Sequence, residues 1–291
     1  MKTPARLEPL VADGLVDNVL RQLMSGKEAT VYVVRCGDDI RCAKVYKEAN
    51  KRGFHTAVDY TEGRKIKNSR QARAMAKRSR YGRQEQEAAW QSAEVDALRR
   101  LAAAGVRVPT PYNFHEGVLL MELVADEDGE PAPRLNDLAL SEDDALRYHA
   151  ELIRQVVRML CAGIVHGDLS EYNVLVDAGG PVIIDLPQAV DAAANQNASA
   201  MLARDVNNLA TYFGQFAPEL LETHYAPEIW ALYESGKLHP DSVLTGTWTP
   251  DDTPADLDEV MQVIEAAKTE DAIRQAGRAA AAAEGRWQAE E

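Results

Sequence analysis

The sequence predicts an α+β chain of two lobes, a small β-rich N-terminal lobe followed by a mainly helical C-terminal lobe. Three observations carry that expectation. Near the start, the β-branched or apolar runs Ala29–Val34 and Ile40–Tyr46 flank the turn residues Gly37-Asp38-Asp39, the pattern of a hairpin. Apolar residues recur at helical spacing through 84–104, and again through most of the chain after residue 141. Between these parts a strand-length apolar run, Val118–Val124, gives way to an acidic, Pro-containing stretch ending near Pro133. We therefore set a boundary between a lobe of residues 1–124 and one of residues 125–291.

In chain order, residues 13–24 carry Leu15, Val16, Val19, Leu20 and Leu23 at i, i+1, i+4, i+5, i+8, which reads as a short helix. The hairpin follows. Residues 84–104 form a helix with Trp90, Ala93, Ala97, Leu98 and Leu101 on one face and Gly105 as its stop. Ser141 and Asp144 resemble a capping box, and Leu146, His149, Ile153, Val156, Val157 and Leu160 continue that helix to Gly163. Two short strands, Val174–Val176 and Val182–Ile184, are joined by turn residues 177–181. Beyond residue 200 the pattern is helical to the end, interrupted around Leu244–Pro254, and Ala279–Ala283 is simply strong helix former.

Composition narrows the function classes. The 291 residues are 46% hydrophobic, enough for a core and unlike a disordered tail. Cys36, Cys42 and Cys161 lack CxxC spacing, so neither a disulfide scaffold nor a zinc module is expected. No run of about 18 apolar residues occurs and Met1-Lys2-Thr3-Pro4 does not open a leader, so the expectation is a cytoplasmic protein without a membrane partner. The net charge is −14, yet residues 47–83 hold twelve Lys and Arg against three acidic residues. Such a run is ordinarily a solvated face; its functional reading is a handle for a polyanion.

The chemistry concentrates in His166-Gly167-Asp168-Leu169-Ser170-Glu171-Tyr172-Asn173. Phosphoryl transfer needs a carboxylate to orient or deprotonate the attacking hydroxyl and an amide oxygen nearby to hold a metal. Asp168 and Asn173, five apart in one loop, present both, and Asp185 at the end of Val182-Ile183-Ile184 adds a carboxylate across the hairpin. Alone, an Asp-x4-Asn is usually loop capping. It is accompanied upstream by the turn Ser25-Gly26-Lys27-Glu28-Ala29, by Lys44 among apolar neighbours in a strand, and by Glu94 on the helix. Glycine turn, strand Lys, helix Glu, apolar connecting strand, Asp-x4-Asn loop and strand-end Asp follow the order of the protein-kinase signature set. The fold expected is thus a protein-kinase-like one.

Three linked segments, Ser25–Tyr32, His166–Asn173 and Ile184–Val190, resemble the RIO-type atypical protein kinase family over about residues 13–216. The resemblance implies ATP and Mg²⁺ as cofactors, with Mn²⁺ as an alternative ion. It implies Asp168 as catalytic base, Asn173 and Asp185 as metal ligands, and Lys44 on the phosphates with Glu94 orienting it. Ser25, Gly26 and Lys27 would cover the phosphates, Met121, Glu122 and Val124 would form the adenine hinge, and Asp205 would brace the catalytic loop. Gly167 stands where ordinary protein kinases have Arg, and Leu186-Pro187 where they have Phe-Gly, so activation-loop control of the usual kind is not expected. The partners implied are a protein substrate or the chain itself through autophosphorylation, and RNA or a ribosomal particle through residues 47–83. Some relatives work as ATPases by transient phosphorylation of the position that Asp185 matches. Two alternatives stay open: a small-molecule phosphotransferase of the aminoglycoside or choline kinase kind, which shares a His-Gly-Asp loop, and a nucleotide-gated RNA-binding module.

Overall fold

The computed structural model describes residues 2–26, 29–47 and 93–249. Lys27, the basic stretch beyond Lys47, the first part of the helix expected over 84–104, the Ala279–Ala283 run and Trp287 lie outside the described residues. Within them the N-terminal lobe is a five-stranded antiparallel sheet of β1 (Asn18–Ser25), β2 (Ala29–Cys36), β3 (Asp39–Tyr46), β4 (Pro111–His115) and β5 (Val118–Glu122), in the spatial order β1-β2-β3-β5-β4. The β2–β3 hairpin turns at Gly37 and pairs Val31 with Lys44 and Tyr32 with Ala43. Strand alternation then sorts the side chains onto two faces. Ala43, Val45, Val118 and Leu120 face a small core with Leu7 and Leu10, the latter on the short helix α1 (Glu8–Ala12), whereas Tyr46 and Leu119 join the main core. Lys44, one residue from Ala43 and Val45 and two from Tyr46, shares the main-core face.

One expectation is overturned here. Residues 13–24 do not form a helix; most of the segment is strand β1. Of the proposed stripe, Leu15, Leu20 and Leu23 are exposed while Val16 and Val19 are buried, so no continuous helical face is covered. The pairing of β1 with the edge of β2, interrupted by two register shifts, supplies the ladder hydrogen bonds that decide the conformation. β4 was also not anticipated, its Pro111 and exposed Tyr112 weakening any strand signal.

A helix over residues 93–103, α2, lays Val95, Leu98 and Leu101 into the main core. The C-terminal lobe is organised by α3 (Glu142–Cys161), α4 (Ala198–Phe213) and α5 (Tyr225–Glu234). Ser141 caps α3 as expected: its Oγ accepts from the Asp144 amide at 3.1 Å. Against these helices lie two small pairings, β6 (Ile164–Val165) with β9 (Val190–Asp191), and β7 (Val174–Asp177) with β8 (Gly180–Ile183). The expected hairpin after the Asp-x4-Asn loop is therefore present. No described helix is long and apolar enough to cross a membrane.

Candidate functional site

Lys44 is 9% exposed and Glu94 3%. Both lie where an unpaired charge would be prohibitively costly, and they meet: Lys44 Nζ donates to Glu94 Oε1 at 2.6 Å and to Asp185 Oδ1 at 2.9 Å. The Tyr46 hydroxyl donates to the other Glu94 oxygen at 2.5 Å. Burial works against the Lys44 charge, but Glu94, Asp185 and Tyr46 outweigh it and hold the ammonium well above its ordinary range. For Asp185, burial pushes the carboxyl up while the charge and hydrogen bond of Lys44, helped by His166 and Arg134, bring it below the ordinary value. Asp185 also takes a left-handed backbone, φ +64°, an uncommon conformation for a residue with a Cβ, maintained here by its surroundings.

The loop bearing Asp168 is fixed from beneath. Gly167 has φ +82°, which a residue with a side chain adopts only with strain. Its amide and that of Leu169 donate to the two oxygens of buried Asp205 at 2.8 and 2.9 Å, and the Arg204 guanidinium donates to the Gly167 carbonyl. The Asp168 amide meets His166 Nδ1 at 3.3 Å, and Nε2 of the same ring faces the Ile184 carbonyl at 3.1 Å. That imidazole ties the loop to the strand leading into Asp185. Asn173 Nδ2 donates to the Asp168 carbonyl at 2.8 Å, leaving Oδ1 for another partner. The Ile184 amide bonds the Asn173 carbonyl at 2.9 Å, bringing Asn173 beside the approach to Asp185. Gln188 Nε2 approaches Asp168 Oδ2 at 3.4 Å. Burial raises the Asp168 carboxyl above its ordinary value, with the charges of His166 and Arg204 only partly opposing it.

Above this cluster, Ser25 Oγ lies 3.3 Å from Thr30 Oγ1, and the Gly26 amide closes the turn onto the Ala29 carbonyl at 2.9 Å. Lys47 Nζ donates to Ser25 Oγ at 3.1 Å and to the Gly26 carbonyl at 2.5 Å. Near the end of β5, Met121 pairs with Cys42 on one side and Pro111 on the other. The Glu122 amide is engaged by the Thr110 carbonyl at 2.9 Å, and its carboxylate clasps the Thr110 amide and hydroxyl. The Val124 carbonyl accepts from Ala132 at 3.0 Å, while the Val124 amide has no acceptor among the described residues.

Lys44 contacts both Glu94 and Asp185, and Asp168 and Asn173 form a second linked pair, tied to Asp185's neighbour Ile184 through the Asn173 carbonyl. The oxygens of Asn173 and Asp185 suit a hard cation, and no group of three or more His, Cys, Asp or Glu side chains able to hold a metal occurs among the described residues. A pair of oxygen ligands that leaves most positions to phosphates and water fits Mg²⁺ better than a metal needing an all-protein cage. Sequence reasoning missed Tyr46, Lys47, Gln188 and Arg204. Tyr46 was within reach, being two residues from Lys44 on one strand face; Arg204 and Gln188 were not, since their roles depend on how a distant helix and the Pro187 turn are seated.

A profile for the RIO domain matches residues 30–226. The chain is 38% identical over 214 residues to the RIO-type serine/threonine-protein kinase Rio1 of Haloferax volcanii, a match covering 72% of this chain and 68% of that protein. It is 30% identical to the serine/threonine-protein kinase rio1 of Schizosaccharomyces pombe, covering 73% of this chain and 41% of that one, and 28% identical to RIO1 of Homo sapiens, covering 73% and 36%. The chain thus spans less than half the length of these two eukaryotic relatives. Among solved structures, the Rio2 kinase of Chaetomium thermophilum in an ADP/Mg²⁺-phosphoaspartate complex superposes with a TM-score of 0.51 at 22% identity, covering 72% of this chain and 59% of that one. At that identity the likeness is one of fold, a two-lobed protein-kinase-like fold.

Proposed function

This chain belongs to the RIO domain family, and from that premise we propose that it is an ATP- and Mg²⁺-dependent serine/threonine protein kinase acting on a protein substrate or on itself. The observation that carries the reading is the contact of buried Lys44 with both Glu94 and Asp185, because it joins the β-sheet, a helix and the strand end beyond the Asp168 loop at one point. On this reading the nucleotide-binding lobe runs through Val124, and the catalytic and metal-binding loops belong to the lobe from residue 125 onward. The Val124 amide donates to the base, Ser25 and Gly26 line the phosphates, and Lys44, fixed by Glu94, neutralises phosphate charge. Lys27, outside the described residues, would join that lining. Asn173 Oδ1 and Asp185 hold the cation, which when bound screens the charge of the transferring phosphoryl group. Asp168, with one oxygen engaged by Gln188, accepts the proton of the attacking hydroxyl as the γ-phosphorus–oxygen bond to ADP breaks.

A second mode of turnover is favoured by the left-handed backbone of Asp185 and by its carboxylate having, among the described residues, one side-chain bond, to Lys44: attack by Asp185 on the γ-phosphorus releases ADP, and water then cleaves the acyl phosphate, the net result being ATP hydrolysis. Incubation with γ-labelled ATP and Mg²⁺ tests both. Asp168→Asn should lower transfer to protein by at least about a hundredfold, and hydroxylamine-labile label lost in Asp185→Asn should appear only if the second mode operates. Free phosphate and hydroxyl-linked label both absent from the wild type would defeat the kinase reading, and faster transfer to an aminoglycoside or choline than to protein would replace it.

A further inference from the structure

Two arginines cross from one wall of the cleft to the other, and they differ in what they meet. Arg21, on β1, pairs with the Glu130 carboxylate in the segment after the hinge. Arg134 makes the reverse crossing: its guanidinium donates to the Met24 sulfur at 3.6 Å. Met24 is on β1, immediately before Ser25 and Gly26. The Arg134 backbone is fixed at the opposite wall, where it forms a bridge to Leu175, two residues beyond Asn173, and where the Val176 amide bonds the neighbouring Pro133 carbonyl at 2.9 Å. The positive charge is also near enough to Asp185 to act on its carboxyl.

A guanidinium offers five donors in a rigid fork suited to phosphate or carboxylate. A thioether sulfur is a weak acceptor, and Arg134 has no carboxylate partner among the described residues. The cation therefore sits between the glycine turn and the proposed metal-binding Asp with most of its donor capacity unspent, and an anion entering there gains charge-assisted hydrogen bonds in exchange for one weak contact. We propose that Arg134 is a phosphate-binding residue of the nucleotide cleft, exchanging the Met24 sulfur for oxygens of the phosphate chain and so selecting phosphorylated nucleotides over nucleosides. This rests on the kinase reading above and adds a residue to it.

The test is calorimetric titration of the full chain with Mg²⁺-ADP and, separately, with adenosine, in the wild type, Arg134→Gln and Arg134→Lys. Arg134→Gln should weaken Mg²⁺-ADP by about tenfold, the scale of one charge-assisted contact, and leave adenosine within about twofold; Arg134→Lys should recover part of the loss by keeping the charge. An equal loss for both ligands, or no loss for either, overturns the role of Arg134. A wild type that binds Mg²⁺-ADP no more tightly than adenosine overturns the kinase reading itself, and this proposal with it. Unfolding midpoints of the three proteins, measured alongside, identify a loss that comes from misfolding, in which case Arg134→Lys alone decides: its Mg²⁺-ADP affinity stays within about threefold of wild type, or the proposal fails.

Discussion

At the scale of single residues, the largest stakes lie where charge is taken out of water. Glu94 is 3% exposed and has two hydrogen-bond donors, Lys44 and Tyr46. Deleting the cation strands the anion, so Lys44→Met is expected to destabilise the fold by about 3–5 kcal/mol in denaturant unfolding. Neutralising the stranded partner in the same chain, as Lys44→Met with Glu94→Gln, should return much of that. A double variant no more stable than the single one would refute the stranded charge as the source of the loss. His149 is another buried titratable group, 2% exposed, its Nε2 without a partner among the described residues, its ring edge-on to Phe213 and tilted against Tyr225, both at 5.7 Å between ring centres. Burial lowers it to about 4 from an ordinary 6.5. Because the folded value is depressed, the stability it confers is full above pH 6.5 and is lost as pH falls through 4, in total by about 3 kcal/mol. His149→Leu should flatten the unfolding free energy over that window, and an unchanged slope would refute the assignment.

Elements show where local pattern suffices and where it does not. The β2–β3 hairpin and α3 are legible because each carries its own instructions: turn residues between β-branched runs in one, a Ser141 cap and a long apolar stripe in the other. β1 is not, because eight residues of mixed polarity on an exposed edge fit either period, and the choice is made by hydrogen bonds to β2 that sequence spacing does not encode. The segment after α5 has the same dependence on a partner. The Glu228 carboxylate accepts from the Thr245 amide at 2.8 Å, the Thr245 hydroxyl at 3.0 Å and the Gly246 amide at 2.9 Å, while the His224 amide bonds the Gly246 carbonyl at 2.7 Å. Gly246 has φ +69°, and a Cβ there would lie 2.9 Å from the Tyr225 ring. Gly246→Ala therefore carries both a backbone and a steric penalty. A loss of about 2 kcal/mol, or about 4–8 °C in melting midpoint, is expected, whereas a change below about 1 °C would show that the clamp contributes nothing to the fold.

For the whole molecule, what the sequence encodes is an order of chemical groups, and what folding adds is their convergence. Lys44, Asp168, Asn173 and Asp185 could be singled out as candidates because phosphoryl transfer restricts which residue types serve and because their order along the chain is informative even when each is commonplace alone, and the fold brings Lys44 to Asp185 and Asn173 to Asp168. Arg134 and Arg204 were not, since an arginine has no local signature and gains its meaning only from the wall it faces. The Lys44–Asp185 contact joins the N-terminal sheet to the strand end beyond the catalytic loop, so a nucleotide lodged there bridges both lobes and should stabilise them together. At a hundred times its Kd, Mg²⁺-ATP should add about 2.7 kcal/mol, about 5–11 °C in melting midpoint for a unit of this size. The variants then separate the proposed roles. Asp185→Asn should lose the part of this shift that depends on Mg²⁺, because it removes a ligand of the cation. Asp168→Asn should keep the shift while losing transfer, because a group that only accepts the proton of the attacking hydroxyl adds little to ground-state binding. The reverse pattern, a shift lost with Asp168→Asn and kept with Asp185→Asn, would exchange the two assignments.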